Sequence, residues 1–131
     1  MNSNLSVLHQ NIQSISNKQI EIDLVLKSSL KNIDVLCFTE YWVKDDYLKL
    51  IHMDQYKLVS YFSRKNYSHG GSSIYVKKKA SVLKIYTVIK VLVWRRILKC
   101  LTELVDYGYI IVCIYRSPYS NCWIFLKNLN Y

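Results

Sequence analysis

The chain has 131 residues with a formal net charge of +9, and 51% of its residues are hydrophobic. That length suits one domain, and such a hydrophobic share excludes disordered and fibrous classes of protein. No run approaches the ~20 apolar residues of a transmembrane helix. The first residues also lack the basic and apolar regions of a secretory signal, so we expect an intracellular protein that is not secreted.

The positive charge is concentrated in the middle of the chain. Residues 55–102 carry eleven basic residues and no acidic one, whereas residues 1–54 carry five basic and seven acidic residues. Such a segment attracts nucleic acid or an anionic membrane surface, although a solvated lysine-rich face has the same composition. The candidate nucleic-acid contacts within it are Lys77, Lys78, Lys79, Arg95 and Arg96.

The four cysteines are Cys37, Cys100, Cys113 and Cys122. They form no Cys-x-x-Cys pair, and none has a histidine at the spacing of a metal site. We predict buried, reduced thiols, with a disulfide or a zinc site as the alternative.

The first third of the chain reads as strand, helix and strand. The run Leu5–Leu8 predicts a strand, and a helix is predicted to begin after Ser16 or Asn17 and to end near Lys31. The apolar stripe predicted for this helix comprises Ile20, Leu24, Leu26 and Leu30. The dense run Ile33–Thr39 predicts a buried strand, and this order is typical of an α/β layered domain.

The remainder is richer in strands. Runs of β-branched and aromatic residues predict strands at Tyr56–Phe62, Ser73–Val76, residues 80–100 and Tyr109–Tyr115. Gly70 and Gly71 separate two of these strands and predict their antiparallel pairing. Residues 43–52 predict a short helix or turn, and residues 122–126 predict a C-terminal helix capped by Ser120 or Asn121.

Three candidate site residues stand at strand ends. Asn11 follows the first strand, Glu40 follows the second, and Tyr115 ends the last. If the first two strands are neighbours, Asn11 and Glu40 meet at the sheet edge where α/β folds bind ligands, and their oxygens suit Mg²⁺. The Tyr115 phenol and the Arg116 guanidinium could bind phosphate. The alternatives are a solvated strand-end glutamate and a core tyrosine.

Four blocks of sequence occur in a fixed order: His9–Ser14 (HQNIQS), Asp34–Trp42 (DVLCFTEYW), Gly70–Val76 (GGSSIYV) and Ile110–Pro118 (IIVCIYRSP). From about residue 5 to residue 126, the chain resembles the N-terminal endonuclease domain of insect-type, jockey-like non-LTR retrotransposons. These domains belong to the endonuclease/exonuclease/phosphatase superfamily. The resemblance implies a four-layer α/β sandwich with mainly antiparallel sheets, of which residues 1–131 form a single partial domain.

The resemblance also implies an activity and its residues. The family hydrolyses phosphodiester bonds with Mg²⁺ or Mn²⁺ and nicks target DNA to prime reverse transcription. By position, Asn11 belongs to the metal and phosphate site, Glu40 is the principal metal carboxylate, and Tyr115 orients the scissile phosphate. The implied partners are DNA and the element's reverse transcriptase, with a nuclear location and no membrane.

The sequence departs from the family after the fourth block. Family members continue with Gly-Asp-x-Asn and Ser-Asp-His motifs, which position the nucleophile and supply a histidine–aspartate pair. Neither motif is present, and no histidine follows His69. We therefore expect a truncated N-terminal half that lacks the rest of the domain and does not nick DNA. The alternatives are a non-catalytic nucleic-acid-binding module using residues 57–99, or a poorly folded product of a decayed element.

Overall fold

The computed structural model describes residues 4–28, 32–63, 69–80, 82–86 and 97–116. These residues form a mixed α/β fold with seven strands and two helices. The strands are β1 (Val7–Asn11), β2 (Val35–Thr39), β3 (Tyr56–Phe62), β4 (Ser72–Lys77), β5 (Val82–Tyr86), β6 (Ile97–Leu104) and β7 (Tyr109–Arg116). The helices are α1 (Ile15–Ser28) and α2 (Asp45–Leu50). Neither of these helices is long and apolar enough to cross a membrane.

The strands form two open sheets. The first has the order β1-β2-β4-β3 and the second has the order β5-β6-β7. Strands β1 and β2, which α1 connects, pair in parallel. The other pairings among the described strands are antiparallel, so the prediction of mainly antiparallel sheets is confirmed.

Strand β2 is the centre of the core, because all five of its residues are buried. Leu36 and Phe38 pack in the cluster that contains residues of α1 and α2. Val35 and Cys37 face the opposite way and pack against residues of β6 and β7. The described residues therefore stack as a helix layer, the four-stranded sheet and the three-stranded sheet.

Three cysteines lie between the two sheets. Cys37, Cys100 and Cys113 are free and buried, which agrees with the prediction of reduced core thiols, while Cys122 lies outside the described residues. Hydrogen bonding to the Cys100 and Cys37 thiols, together with burial, raises the pKa of Cys113 well above its ordinary value. The Cys113 thiol therefore stays protonated at neutral pH.

Most predicted elements occur where local composition indicates them, but β1 begins and ends later than the predicted run Leu5–Leu8, so Asn11 is its last residue and does not follow it. Strand β3 has the predicted bounds, β4 extends the predicted strand by one residue at each end, and their antiparallel pairing is confirmed. Helix α2 falls within residues 43–52, and the predicted strand at 80–100 becomes β5 and the start of β6. Residues 87–96 and the predicted C-terminal helix lie outside the described residues.

The predicted buried face of α1 is wrong. The helix begins at Ile15, before both predicted capping residues, and it buries Ile15 and Ile22. Ile20 and Leu24, which we expected in the core, are 77% and 62% exposed. Leu26 packs partly against the core, and Leu30 lies outside the described residues. Residues seven positions apart lie on nearly the same side of a helix, so the buried stripe runs through positions 15 and 22.

The outward side of β7 is apolar. Along β7, Ile111 and Cys113 point toward the first sheet, whereas Ile110 and Val112 point outward and are 62% and 48% exposed. Alternation along a strand explains this division, because successive side chains point to opposite faces. The described layers therefore leave the apolar outward side of β7 uncovered.

Candidate functional site

Glu40 stands where the chain leaves the core at the end of β2. Its neighbour Thr39 is buried, and Glu40 itself is half-buried. The backbone of Glu40 has a φ of 60°, in the left-handed region that residues other than glycine rarely adopt. Its N–H donates to the carbonyl of Gly71 at 2.9 Å. The loop before β4 therefore holds Glu40 in this conformation.

Tyr115 reaches Glu40 from the other sheet. It is the next-to-last residue of β7 and is only 9% exposed, so its ring is held in the core. Its hydroxyl donates to Oε1 of Glu40. Two residues that the sequence singled out separately, each at the end of its own strand, are thus in direct contact.

Asn11 lies at the end of the strand next to β2. The parallel register of β1 and β2 places Asn11 opposite Thr39, so the condition that the two strands are neighbours is met. The loop after β1 then runs along the loop after β2, since Ser14 N–H donates to the Glu40 carbonyl at 2.9 Å. Asn11 is exposed and lines a groove of about 330 Å³ between β1 and α1, and neither Glu40 nor Tyr115 lines this groove. We call the end of the molecule that carries Asn11, Glu40 and Tyr115 the Glu40 rim.

Trp42 is the site residue that the sequence reasoning missed. Its indole N–H donates to Oε2 of Glu40 at 2.5 Å. Its backbone N–H donates to the carbonyl of Gly70 at 3.3 Å, and its ring lies edge-on to His69 with centroids 4.4 Å apart. The only signal in the sequence is its position two residues after Glu40, in the block that carries the resemblance. Both carboxylate oxygens of Glu40 thus accept a hydrogen bond.

Unusual backbone conformations concentrate at the Glu40 rim. Four of its residues other than glycine have positive φ: Gln13 at 44°, Ser14 at 86°, Glu40 at 60° and Trp42 at 59°. Such conformations cost free energy and persist only where surrounding contacts enforce them. Here the backbone hydrogen bonds between the two loops supply those contacts. Strain of this kind is typical of functional sites.

The lysine cluster predicted to bind nucleic acid lies at the other end of the first sheet. Strand β4 runs antiparallel to β2, with Ser72 opposite Thr39 and Val76 opposite Val35. Lys77, the last residue of β4, and the two lysines after it therefore lie near the start of β2. The length of β2 separates them from Glu40 by about 15–20 Å. Their contact with nucleic acid stays a prediction, at a place distinct from the Glu40 rim.

Aspartates from other parts of the chain surround this cluster. Lys77–Lys79 line a cavity of about 700 Å³ together with Asp34, Asp54 and Asp106. Lys77 Nζ lies 4.0 Å from Asp34 Oδ1. The segment that contains no acid in sequence is thus next to acids in space. The strong positive field that we expected there is opposed by three carboxylates.

The structure describes one of the three arginines predicted to bind nucleic acid or phosphate. Arg116 is the last residue of β7 and follows Tyr115, so its backbone lies at the Glu40 rim. Arg95 and Arg96 lie outside the described residues. Their predicted contacts with nucleic acid stay predictions.

The donor atoms at the Glu40 rim fit a hard divalent cation. Glu40 offers a carboxylate and Asn11 offers an amide oxygen, and Mg²⁺ is commonly bound by one or two carboxylates while it keeps several waters. Each Glu40 oxygen has lone pairs beyond the one used by its hydrogen-bond donor. Among the described residues, no three His, Cys, Asp or Glu side chains are grouped to hold a metal ion. A cation at this rim therefore depends mainly on Glu40.

Comparison with known proteins assigns neither a family nor a function to the chain. The chain matches no protein-family model. A search of curated proteins finds no match either. The function of the Glu40 rim must therefore be argued from its own residues.

Proposed function

We propose that the chain is part of a divalent-metal-dependent DNA endonuclease of the non-LTR retrotransposon kind. In this proposal Asn11, Glu40 and Tyr115 hold the cation and the phosphate. The hydrogen bond from Tyr115 to Glu40 carries the proposal. It joins, from opposite sheets, two of the three residues that the resemblance assigns to one site.

Each residue has a distinct part in binding. Glu40 holds Mg²⁺ or Mn²⁺, with the amide oxygen of Asn11 available as a second protein ligand. A bound divalent cation supplies positive charge against the phosphate oxygens and the leaving oxygen. Tyr115 holds its hydroxyl at the rim from a ring fixed in the core. That hydroxyl has one proton, which it donates to Glu40, so in this proposal it turns from Glu40 to a phosphate oxygen when the phosphate binds.

We propose that these 131 residues bind the cation and the phosphate without cutting the DNA. In-line hydrolysis needs a positioned water, and general acid–base groups typically contribute ~10²–10⁴-fold. Electrostatic groups at the developing charge add ~10²–10³-fold each. The sequence lacks the Gly-Asp-x-Asn and Ser-Asp-His motifs that supply such groups in the family. Nicking by the chain alone should therefore fall below detection.

We also propose that the fold belongs to a four-layer sandwich. The described residues contribute three layers, and the outward side chains of β7, including Ile110 and Val112, are exposed. A fourth layer over this face would remove that apolar surface from water. An enzyme that nicks chromosomal target DNA would act in the nucleus, which is the location we propose.

Binding of Mn²⁺ to the purified chain tests the role of Glu40. Titration calorimetry or electron paramagnetic resonance measures the affinity of the native protein, of Glu40→Gln, and of Glu103→Gln as a matched control on β6. We expect Glu40→Gln to weaken binding at least tenfold, because it removes the ligand charge, and Glu103→Gln to leave the affinity unchanged. Equal affinities for the native protein and Glu40→Gln would contradict the proposal.

A plasmid assay tests the second part. Supercoiled DNA incubated with the chain and Mg²⁺ or Mn²⁺ should remain supercoiled. Relaxation by the native chain that disappears in Glu40→Ala would show that these residues contain a complete hydrolytic site. That result would confirm the endonuclease and contradict the claim that this chain binds without cutting.

A further inference from the structure

We infer that Trp42 is a positioning residue, whose indole N–H orients the Glu40 carboxylate for binding a divalent cation. The inference rests on the proposed function of Glu40 and extends it to a residue outside the predicted set. In this role Trp42 sets the direction of the Glu40 carboxylate and need not touch the cation or the phosphate.

The two hydrogen bonds on Glu40 fix its carboxylate plane. Tyr115 donates to Oε1, and Trp42 Nε1 donates to Oε2 at 2.5 Å. A carboxylate held at one oxygen can still rotate about that bond, whereas a donor at each oxygen sets its orientation. Hydrogen bonds to ionised acceptors are also the stronger ones. The carboxylate is thus oriented before any cation arrives.

Trp42 is itself held in place. Its backbone N–H bonds the Gly70 carbonyl, and its ring packs edge-on against His69. A φ of 59° is a costly conformation for a bulky aromatic residue, and the contacts around it sustain that conformation. Because Trp42 is held at both its backbone and its ring, its indole N–H is a rigid donor, as an oriented metal ligand requires.

A packing role for the indole makes a different prediction. Phenylalanine at position 42 keeps an aromatic ring beside His69 but has no N–H to donate. If Trp42 only packs, Trp42→Phe leaves the cation affinity at its native value. If Trp42 orients Glu40, the affinity falls although the ring remains.

The experiment is a double-mutant cycle on Mn²⁺ affinity in the full chain. The proteins compared are native, Trp42→Phe, Glu40→Gln and the double variant, with Tyr47→Phe on the exposed face of α2 as control. We expect Trp42→Phe to weaken binding about 10–100-fold, as for other groups that orient metal ligands. The same substitution should change nothing further in the Glu40→Gln background, and Tyr47→Phe should bind like the native protein.

A spectroscopic measurement complements the cycle and needs no substitution at position 42. The indole ¹H–¹⁵N resonance of Trp42 in the native chain should show a downfield proton shift from its bond to the carboxylate. This shift should disappear in Glu40→Ala, which removes the acceptor, and change as Mg²⁺ is added. If neither the substitution of Glu40 nor the addition of Mg²⁺ shifts this resonance, the inference is overturned, and this holds even if Trp42→Phe fails to fold.

The other outcomes separate the two proposals. Native affinity in Trp42→Phe overturns the role of Trp42 and leaves that of Glu40 intact. An equal loss in the native and Glu40→Gln backgrounds shows that Trp42 acts on the fold, and this also overturns the inference. A native affinity that Glu40→Gln does not change overturns both proposals.

Discussion

Tyr115 donates its hydroxyl to the carboxylate of Glu40, which lies 75 positions earlier in the chain and in the other sheet. Glu40 follows β2 and Tyr115 is the next-to-last residue of β7, so the packing of the two sheets determines whether they meet. The contact links the stability of the fold to the geometry of the Glu40 rim.

Substituting Tyr115 with Phe should measure this link. The variant keeps the buried ring and loses a hydrogen bond to a charged acceptor, so we expect the free energy of unfolding to fall by about 1–2 kcal/mol. Urea denaturation provides the measurement, and Tyr109→Phe, at an exposed position of the same strand, should change it by less than about 0.5 kcal/mol. Equal losses in the two variants would show that the contact with Glu40 contributes nothing.

Substituting Gly71 with Ala should destabilise the loop that holds Glu40. Gly71 has a φ of +100°, and a Cβ there would lie 2.5 Å from Cζ of Tyr41. We expect a loss of more than about 2 kcal/mol in thermal or urea unfolding, from backbone strain plus the clash. Gly108 also has positive φ, but a Cβ there would meet nothing within 4 Å, so Gly108→Ala should cost only about 1 kcal/mol. A larger cost at Gly108 would contradict the role of the Tyr41 contact.

Tyr75 should make the fold sensitive to alkali. Its hydroxyl is buried with no hydrogen-bond partner among the described residues, and burial raises its pKa above the ordinary value. Below about pH 10 the tyrosine is protonated in both states, so ionisation has no effect on stability. Above about pH 10 the unfolded chain ionises first, and the free energy of unfolding falls by up to ~1.4 kcal/mol per pH unit.

The variant Tyr75→Phe tests this dependence. It should match or exceed the native stability near about pH 8, because an unsatisfied buried hydroxyl is removed. Between about pH 10 and about pH 11 its stability should fall less steeply than that of the native protein. Urea denaturation at several pH values gives both slopes, and parallel curves would refute the assignment.

The lysine cluster gives a prediction about DNA. If Lys78 and Lys79 contact phosphates, Lys78→Gln with Lys79→Gln should reduce the log–log salt slope of binding by about 0.9 per lost contact. Asp54→Asn with Asp106→Asn should strengthen binding at low salt, because opposing carboxylates are removed, and the gain should shrink as salt is added. Fluorescence anisotropy of a labelled duplex measures both effects. Binding that neither pair changes would exclude this surface as a DNA contact.

Local patterns were sufficient for strands such as β3 and β7, but not for the bounds of β1 or for the buried face of α1. The bounds of β3 and β7 follow from dense runs of β-branched and aromatic residues, a property of neighbours in sequence. Helix α1 has apolar residues on several sides, and the choice between the face of Ile20 and that of Ile22 depends on the sheet it packs against. Tertiary packing decides such a choice, so the sequence pattern alone gave the wrong face.

The same contrast between local sequence pattern and tertiary contact applies to the candidate site. Strand ends identified Glu40 and Tyr115 as candidate site residues, and position in the chain is enough for that. The contact of Trp42 with Glu40 depends on left-handed conformations at both residues, which no residue pattern indicates. The aspartates beside Lys77–Lys79 come from separate segments, so a charge count along the chain cannot reveal them.

The Glu40 rim is built from two sheets, so it forms only when those sheets pack in their native arrangement and not when the chain is merely collapsed. A molten globule keeps much of its secondary structure while its tertiary packing fluctuates, so β2 and β7 would persist without a fixed distance between them. In such a state Glu40 and Tyr115 remain on their strands but are no longer held together. Cation affinity at this rim should therefore disappear while far-ultraviolet circular dichroism is still native-like, which would make the site a direct reporter of how tightly the two sheets pack.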